Sequence, residues 1–516
     1  MPKPDLSPSY EYEWRNWHLT QGVGGRVQTF FTPRNRWEDG TAPRKKFQAG
    51  IAGLNAIVAL AEANRKRVRA VGSGWSLNGV AFTDEYLVNT ARLNDWFIGI
   101  SDPAMVVPDA RPRMGGLVFA QCGVQIKVLN AYLQEKRLSL PTSGASNGQT
   151  IAGALSTGTH GSANQIGAIQ DFMLGIHLVG DGGEHRFIQR KSNRVVTKQF
   201  ADWLGATLVN DDDLFNAAIV SFGSFGLVHG VLFEAEPLYV LERHVFQRDL
   251  SEVLGPIGTL DVTSLKLPKG PELPFHFEVV VNPYRVRKGE KGCFVRFMYR
   301  TELGPDDPVP SPQPPPGGIQ CSEDLVSIVG AVSDAVPDLI PGLLQAELVS
   351  ALAPNEGKGP RIGTHGQIFG DTLPTNGGAS MELGVPLKRV GDAVALILDS
   401  CKENPFGAPL ALRFVKSSKA TLAFTCFDDI TCTMEMPGVD SSRTRGAFDS
   451  LQQRFSASDV PHSYHWGQAL PLEPEWVKQA FGPRRQAWLD ARKELLGPPG
   501  RAAFTNALLS RCGLAE

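Results

Sequence analysis

The sequence predicts an α+β fold, and three observations carry that expectation. Helical and alternating apolar spacings take turns along the first half of the chain. Short β-branched and aromatic runs fill the second half. A proline-dense stretch, Leu303 to Gly318 within 303–320, breaks that half as a loop or linker. At 516 residues the chain is long enough for two or three domains with a ligand enclosed between them.

Element by element, residues 47–65 place Ile51, Leu54, Ile57, Val58 and Ala61 at helical spacing. "KRVRAV", "EYLVNT" and "GLVFAQCG" follow as short strands, and "QIKVLNAYLQEKR" returns to a helix. "FMLGIHLVGDGGEHRFIQR" is two strands around a Gly-Asp-Gly-Gly turn, and "GLVHGVLFEAEPLYVLERHVF" is again extended. Beyond residue 238 the runs "FHFEVVVNPYR", "CFVRFMYRT", "SMELGVPL", "PLALRFV", "ATLAFTC" and "TCTMEMP" all read as strands. The tail from Glu473 to Gly513 reads as helical.

Composition excludes several classes. Net charge is −2, so no nucleic-acid surface is expected. The seven cysteines form no CxxC pair, which argues against a disulfide framework or a zinc ribbon. No apolar run is long enough for a membrane span, and the first residues lack a signal-peptide core, so a cytoplasmic protein is expected.

Three glycine-rich loops carry the chemistry. "VGSGWSLNG" offers Gly72, Ser73, Gly74, Ser76 and Asn78 as a nest of backbone and short side-chain donors suited to a pyrophosphate. It is neither a dinucleotide G-x-G-x-x-G nor a Walker A loop, and by itself serves equally as a ligand-free turn. The second loop, Leu140 to Ala163, is charge-poor and donor-rich yet too apolar to be disordered, which suits the lining of a large polar ligand. The third, Phe222 to Gly230, feeds a strand.

In this order the three loops resemble the FAD-binding domain of the vanillyl-alcohol oxidase / p-cresol methylhydroxylase superfamily. "SMELGVPL", "ALRFV", "HSYHWGQ" and "FTNALL" resemble its sugar-oxidase branch, which holds aldonolactone and alditol oxidases. The resemblance implies a PCMH-type two-domain fold: an FAD domain over 1–238, a cap or substrate domain on an antiparallel sheet over 239–460, and a C-terminal segment, 461–516, returning to the FAD domain. It also implies a set of FAD contacts. The backbone of Gly72, Ser73, Gly74, Trp75 and Ser76 would hold the pyrophosphate, with Asn78 also at the cofactor. Ser143, Gly144, Ala145, Ser146, Thr150, Ile151, Gly153, Ala154, Thr157, His160 and Gly161 would run along the flavin. Gly226 and Val228 would lie near the adenine, with His465 also at the cofactor.

The departures from the family pattern are as informative. Many members attach FAD through a histidine in the first loop; here that position is Trp75, and the second loop has no cysteine, so FAD is expected to be non-covalent. Trp75 is expected to pack against the flavin's dimethylbenzene edge. The branch's Glu-x-Arg strand reads Ala411-Leu412-Arg413, keeping the arginine and losing the carboxylate. Its His-Trp-Gly-Lys reads His465-Trp466-Gly467-Gln468, which replaces a cation near the flavin with an amide able to hydrogen-bond there. Catalytic candidates are Arg413, Glu435, Glu278, His465 and Gln468, with His276 a further base; Glu382 reads as a structural partner. The i, i+3 pair His462 and His465 lacks carboxylate or cysteine partners, so no metal site is expected.

The apolar stretch 324–353 serves equally as a buried helical pair, an oligomer interface or the wall of a tunnel. With the carboxylate at 411 gone, the last option points to a bulkier or more apolar alcohol than a simple polyol. In related lactone-oxidising members a small residue in the second loop admits oxygen and an alanine obstructs it. The matching residue is Gly144, or Ala145 if the alignment slips by one, and Gly144 favours an oxidase that releases peroxide. The expected activity is hydride transfer from a CH–OH group to flavin N5 with molecular oxygen as acceptor. Flavin-dependent oxidation of an amine or a C–C bond, or a flavin-binding protein without catalysis, are the alternatives.

Overall fold

The computed structural model describes residues 4–35, 43–312, 340–370 and 377–516. Its strands fall into a four-stranded, a six-stranded and an eight-stranded sheet, with one further two-stranded pair. The four-stranded sheet joins an N-terminal hairpin, Pro8–Arg15 with Gly24–Phe31, to the parallel strands Tyr86–Asn89 and Val68–Val71. The hairpin is a feature the sequence reading missed: Tyr10 and Tyr12 stay exposed, so no buried stripe marks its first strand. The six-stranded sheet runs Thr207–Asn210, His185–Gln189, Met173–Val179, Leu227–Glu234, Leu117–Gln121 and Trp96–Ile98. Helix Pro43–Ala63 buries Ile51, Leu54, Ile57, Val58 and Ala61, the positions its periodicity marked.

The eight-stranded sheet starts at Tyr239–Arg248. Its order is Arg361–Thr364, Tyr239–Arg248, Cys293–Glu302, His276–Val281, Leu410–Lys416, Ile430–Val439, Gly378–Pro386 and Ser463–Tyr464, and every pairing is antiparallel. One face is apolar and joins the main core together with helices Val390–Glu403 and Ser442–Ala457. Each leucine or isoleucine buried there contributes about 1.5–3 kcal/mol. The other face is divided. At one end Val245, Val280, Phe294 and Ala411 pack with Leu344, Leu348 and Leu352 of helix Ile340–Leu352. At the other end the same face carries charge: Arg296, Glu278, Arg413, Glu435 and Glu382.

The tail is helical, as its sequence suggested, and packs back on the first half. Trp488 Nε1 donates to the Val220 carbonyl at 3.3 Å and Arg492 Nε to the Ser224 carbonyl at 3.0 Å. "ATLAFTC" is not a strand. It forms turns whose carbonyls are taken by side chains: Trp466 Nε1 reaches Leu422 O at 2.7 Å and Ser463 Oγ reaches Phe424 O at 2.6 Å. Its apolar residues are buried without a ladder, which apolarity alone cannot distinguish from a strand. Of the stretch 324–353, residues 324–339 lie outside the described residues. The six described cysteines are free, and no metal-binding cluster occurs among the described residues. No helix among them is long and apolar enough to cross a membrane.

Candidate active site

A groove runs between the first sheets and the charged end of the eight-stranded sheet, about 1470 Å³ with its open mouth included. All three glycine-rich loops contribute to its lining.

Its floor is the first loop. Arg69, fully buried, donates to Val80 O at 2.6 Å and to the Phe222 and Gly223 carbonyls, tying the first loop to the third. Burial, then the nearby Arg492 charge, pulls the Arg69 guanidinium down to about 9. Gly72 packs against the Thr150 side chain so closely that a Cβ would lie 2.1 Å from Oγ1. Thr150 in turn accepts from Gly153 N at 3.3 Å and opens helix Ile151–Thr157. Asn78 Nδ2 donates to the Trp466 carbonyl at 2.9 Å and the Gln468 carbonyl at 2.5 Å, and Leu77 N to the Gly467 carbonyl at 2.7 Å. Gly226, at φ 119°, lets the third loop lie against the Val179 carbonyl, where a Cβ would approach within 2.5 Å.

Of the residues the sequence nominated for the cofactor, Gly72, Ser73, Gly74, Trp75, Ser76, Asn78, Ala145, Ser146, Thr150, Gly153, Ala154, Thr157, His160, Gly226, Val228 and His465 line this groove. Ser143, Gly144, Ile151 and Gly161 do not. Ser143 Oγ instead donates to Asn147 Oδ1 at 2.9 Å. Gly144 faces Thr159, whose Cγ2 would be 2.8 Å from an added Cβ. The second-loop residue that meets the groove there is Ala145.

The far end is polar. Arg413 Nε donates to Glu278 Oε1 at 2.7 Å and Nη1 to Glu435 Oε2 at 2.5 Å, with Glu382 Oε1 at 3.6 Å. Glu435 also accepts from Ser380 Oγ at 3.2 Å and Gln468 Nε2 at 3.1 Å. Burial opposes the charge on Glu278, yet Arg296 and Arg413 hold its carboxyl down to about 2. Burial also opposes the charge on Glu382, and His160 first, then His465 and Arg413, hold it down to about 2. Burial disfavours the charged form of Arg413, but Glu435, Glu278 and Glu382 raise it further above its ordinary value. Glu278 stands behind Arg413, fully buried between it and Arg296, and does not line the groove.

Three further side chains are held in defined orientations. His160 Nδ1 lies 2.8 Å from the Gly161 carbonyl, and Nε2 lies 3.0 Å from Glu382 Oε1. His465 Nδ1 accepts from Gly467 N at 3.0 Å, and burial pulls the ring down to about 4. His465 is therefore neutral with its proton on Nε2, which makes that nitrogen a donor. Gln468 Nε2 is held by both Glu382 Oε2 and Glu435 Oε1, each at 3.1 Å, and Oε1 is buried without a partner among the described residues. In this orientation the amide oxygen is the atom left to accept a hydrogen bond.

Register recovers the missing carboxylate. Ala411 and Glu435 are cross-strand partners, and Glu435 pairs with Glu382 on its other side. Glu435 places a carboxylate one strand, about 4.8 Å, from the position where the Glu-x-Arg pattern carries its own. Glu382, read from sequence as structural, lines the groove as well; only the sheet pairing brings it beside Arg413. His276 sits on the same face, buried, with its ring pulled down to about 3 by that burial. The described leucines of 340–353 do not line the groove.

Comparison with known proteins agrees with this geometry. Residues 50–188 match the family model described as an FAD binding domain. An L-gulono-1,4-lactone dehydrogenase of Mycobacterium tuberculosis is 23% identical over 469 residues, covering 87% of this chain and 94% of that protein. A putative D-arabinono-1,4-lactone oxidase of Neurospora crassa is 29% identical over 191 residues, covering 37% of this chain and 29% of that one. Among solved structures, a solvent-stable cholesterol oxidase superposes with a TM-score of 0.67 at 14% identity, covering 100% of this chain and 99% of that chain. A chitooligosaccharide oxidase superposes at 0.59 with 12% identity over 98% and 96%. Residues 50–188 thus carry an FAD binding domain, in a chain whose curated relatives are lactone oxidoreductases and whose fold is that of the solved oxidases.

Proposed function

We propose that this protein oxidises a CH–OH group of a compact, hydroxylated molecule, with FAD held non-covalently and oxygen as the final acceptor, reached past Ala145 more slowly than past a glycine, releasing hydrogen peroxide. The observation that carries the proposal is the polar end of the groove. Arg413, Glu435, Glu382, His160, His465 and Gln468 meet there, and no described apolar side chain of the helix 340–352 reaches it. That lining suits hydroxyl groups better than a sterol-like skeleton. The lactone substrates in the names of the two relatives make sugar lactones the first compounds to try.

The residues present fit FAD. The groove is long, its floor is backbone and short polar side chains at Gly72–Asn78 and Thr150, and the tight contact at Gly72 leaves the loop's backbone facing the ligand. These residues would hold the pyrophosphate, and the second loop from Ala145 to His160 the ring system. FAD supplies the hydride acceptor. The chain supplies the rest. Arg413 would orient the substrate oxygen. Glu435, side chain 11% exposed against 2% for Glu382, is the carboxylate that can take the hydroxyl proton. His465 Nε2–H and Gln468 Oε1 would fix the remaining polar atoms, and the His160–Glu382 pair keeps the Gln468 amide turned as it is.

The test is direct. The purified protein is examined for a visible flavin spectrum, and sugar lactones, alditols, sterols and amines are screened for anaerobic bleaching and for peroxide in air. Amines belong in the screen because the free Gln468 oxygen and two carboxylates would also accept N–H donors. Absence of flavin absorption after addition of FAD would overturn the proposal, as would bleaching by sterols alone. Colour left in an acid-precipitated pellet would refute non-covalent attachment.

A further inference from the structure

The segment Trp14–Thr20 lies outside the residues matched as an FAD binding domain, yet Trp14 and His18 line the groove. The segment is fastened at both ends. Trp17 N donates to Gly74 O at 2.6 Å, and Asn16 Nδ2 to Ser76 O at 2.9 Å, so it lies along the first loop. Thr20 Oγ1 donates to Gly378 O at 2.7 Å, and the Gly377 and Gly378 amides donate to His18 O at 3.2 and 3.0 Å, so it also grips the strand Gly378–Pro386. It crosses from the first loop to the eight-stranded sheet.

Trp75 is the point where these parts meet. Its indole stacks on Trp17, with ring centroids 5.2 Å apart and planes 14° apart. His18 meets it edge-on at 5.3 Å. On another side Gly148 leaves room for the indole: a Cβ there would lie 2.3 Å from it. With its amide turned to satisfy its neighbours, Gln149 accepts from Trp75 Nε1 at 3.0 Å and donates to Ser146 O at 2.5 Å. One side chain thus joins the N-terminal segment, the first loop and the second loop.

We propose that Trp17, Trp75 and Gly148 form an aromatic clasp that pins the N-terminal segment over the groove and retains the cofactor where no histidine is present at position 75 to bond it. The inference rests on FAD being the ligand of this groove. Binding then needs the clasp to part and close, and retention depends on stacking area instead of a covalent bond. Tight packing at Gly148 makes the pair specific: the indole and the absent Cβ require each other.

The experiment measures FAD retention, not turnover. Apoprotein is prepared for the wild type, Trp17→Ala, Trp17→Phe and Gly148→Ala, reconstituted with FAD, and the rate of FAD release is followed by its fluorescence on dilution. Trp17→Ala and Gly148→Ala are expected to release FAD about ten-fold faster, and Trp17→Phe to stay close to wild type. Melting temperatures of the apoproteins within a few degrees of wild type assign the change to retention; if Trp17→Ala alone fails to fold, Gly148→Ala and Trp17→Phe still decide it. Release at the wild-type rate from both Trp17→Ala and Gly148→Ala overturns the clasp and leaves the flavin assignment standing. A wild type that takes up no FAD overturns the flavin assignment itself.

Discussion

At the scale of single residues, the site is a set of commitments. Arg413 is shared by Glu278 and Glu435, and Gln468 is shared by Glu382 and Glu435, so each substitution has a defined consequence. Glu435→Gln keeps the shape and removes the base; kcat is expected to fall about 10²-fold or more in steady-state assays. Arg413→Ala leaves Glu278 buried against Arg296 alone, and should cost about 3–5 kcal/mol in denaturant unfolding as well as activity. Gln468→Met removes the acceptor and also the amide hydrogens that Glu382 and Glu435 accept, so KM should rise and kcat fall, each up to about ten-fold in steady-state assays. Ala145→Gly opens the second loop where it meets the groove, and should speed reoxidation by oxygen in stopped-flow traces. Arg413 and Glu435 were legible in the sequence because strand alternation marks a face. The role of Glu382 was not, because its neighbours His160, Arg413 and Gln468 come from three distant segments. The orientation of the Gln468 amide is set by those same carboxylates and leaves no trace in local spacing.

At the scale of elements, the strands of the large sheet were legible from their β-branched runs, but their order and register were not. Order decides that Arg296, Glu278, Arg413 and Glu435 alternate in charge across neighbouring strands, with Glu382 beside Glu435 on the next. The six-stranded sheet hides a second polar line: His185 Nδ1 to His177 Nε2 at 3.0 Å, His177 Nδ1 to His229 Nδ1 at 2.9 Å, and His229 Nε2 to Gln121 Nε2 at 3.0 Å. Burial lowers all three histidines, His229 to about 3 and His177 well below its ordinary value. Such groups are neutral when folded and take up protons near pH 6.5 when unfolded. Stability is therefore full above that pH and falls as the pH drops from about 6.5 towards the folded values. Glu278 and Glu382 are lowered as well, by neighbouring cations and against burial: their contribution is present above the unfolded carboxylate value, about 4.5, and is lost on the way to about 2. Urea midpoints should accordingly begin to fall between pH 6.5 and 5, before the carboxylates titrate, and His229→Gln should flatten that slope.

At the scale of the whole molecule, the chain closes on itself through the groove. Asn506 Nδ2 donates to the Gly79, Val80 and Phe82 carbonyls at 3.1, 2.9 and 3.1 Å, so a residue ten places from the C-terminus braces the first loop. Asn506→Ala is expected to cost about 1–3 kcal/mol, seen as a lower melting temperature that added FAD partly restores. The helical character of the tail was legible in its composition. Its return to the first loop came from resemblance, since no local pattern reports where a helix docks. The N-terminal hairpin was illegible because its outer strand faces water and shows no buried stripe, while its inner strand docks on Tyr86–Asn89, well along the chain.

Helix Ile340–Leu352 seals the strip that holds Ala411, and Ala411 is fully buried beneath its leucines. A glutamate placed at 411 would meet hydrocarbon and not the groove, and would bury a charge with no partner beneath the leucines. Positions 411 and 435 are therefore not interchangeable seats for a carboxylate, although they face each other across one strand pair.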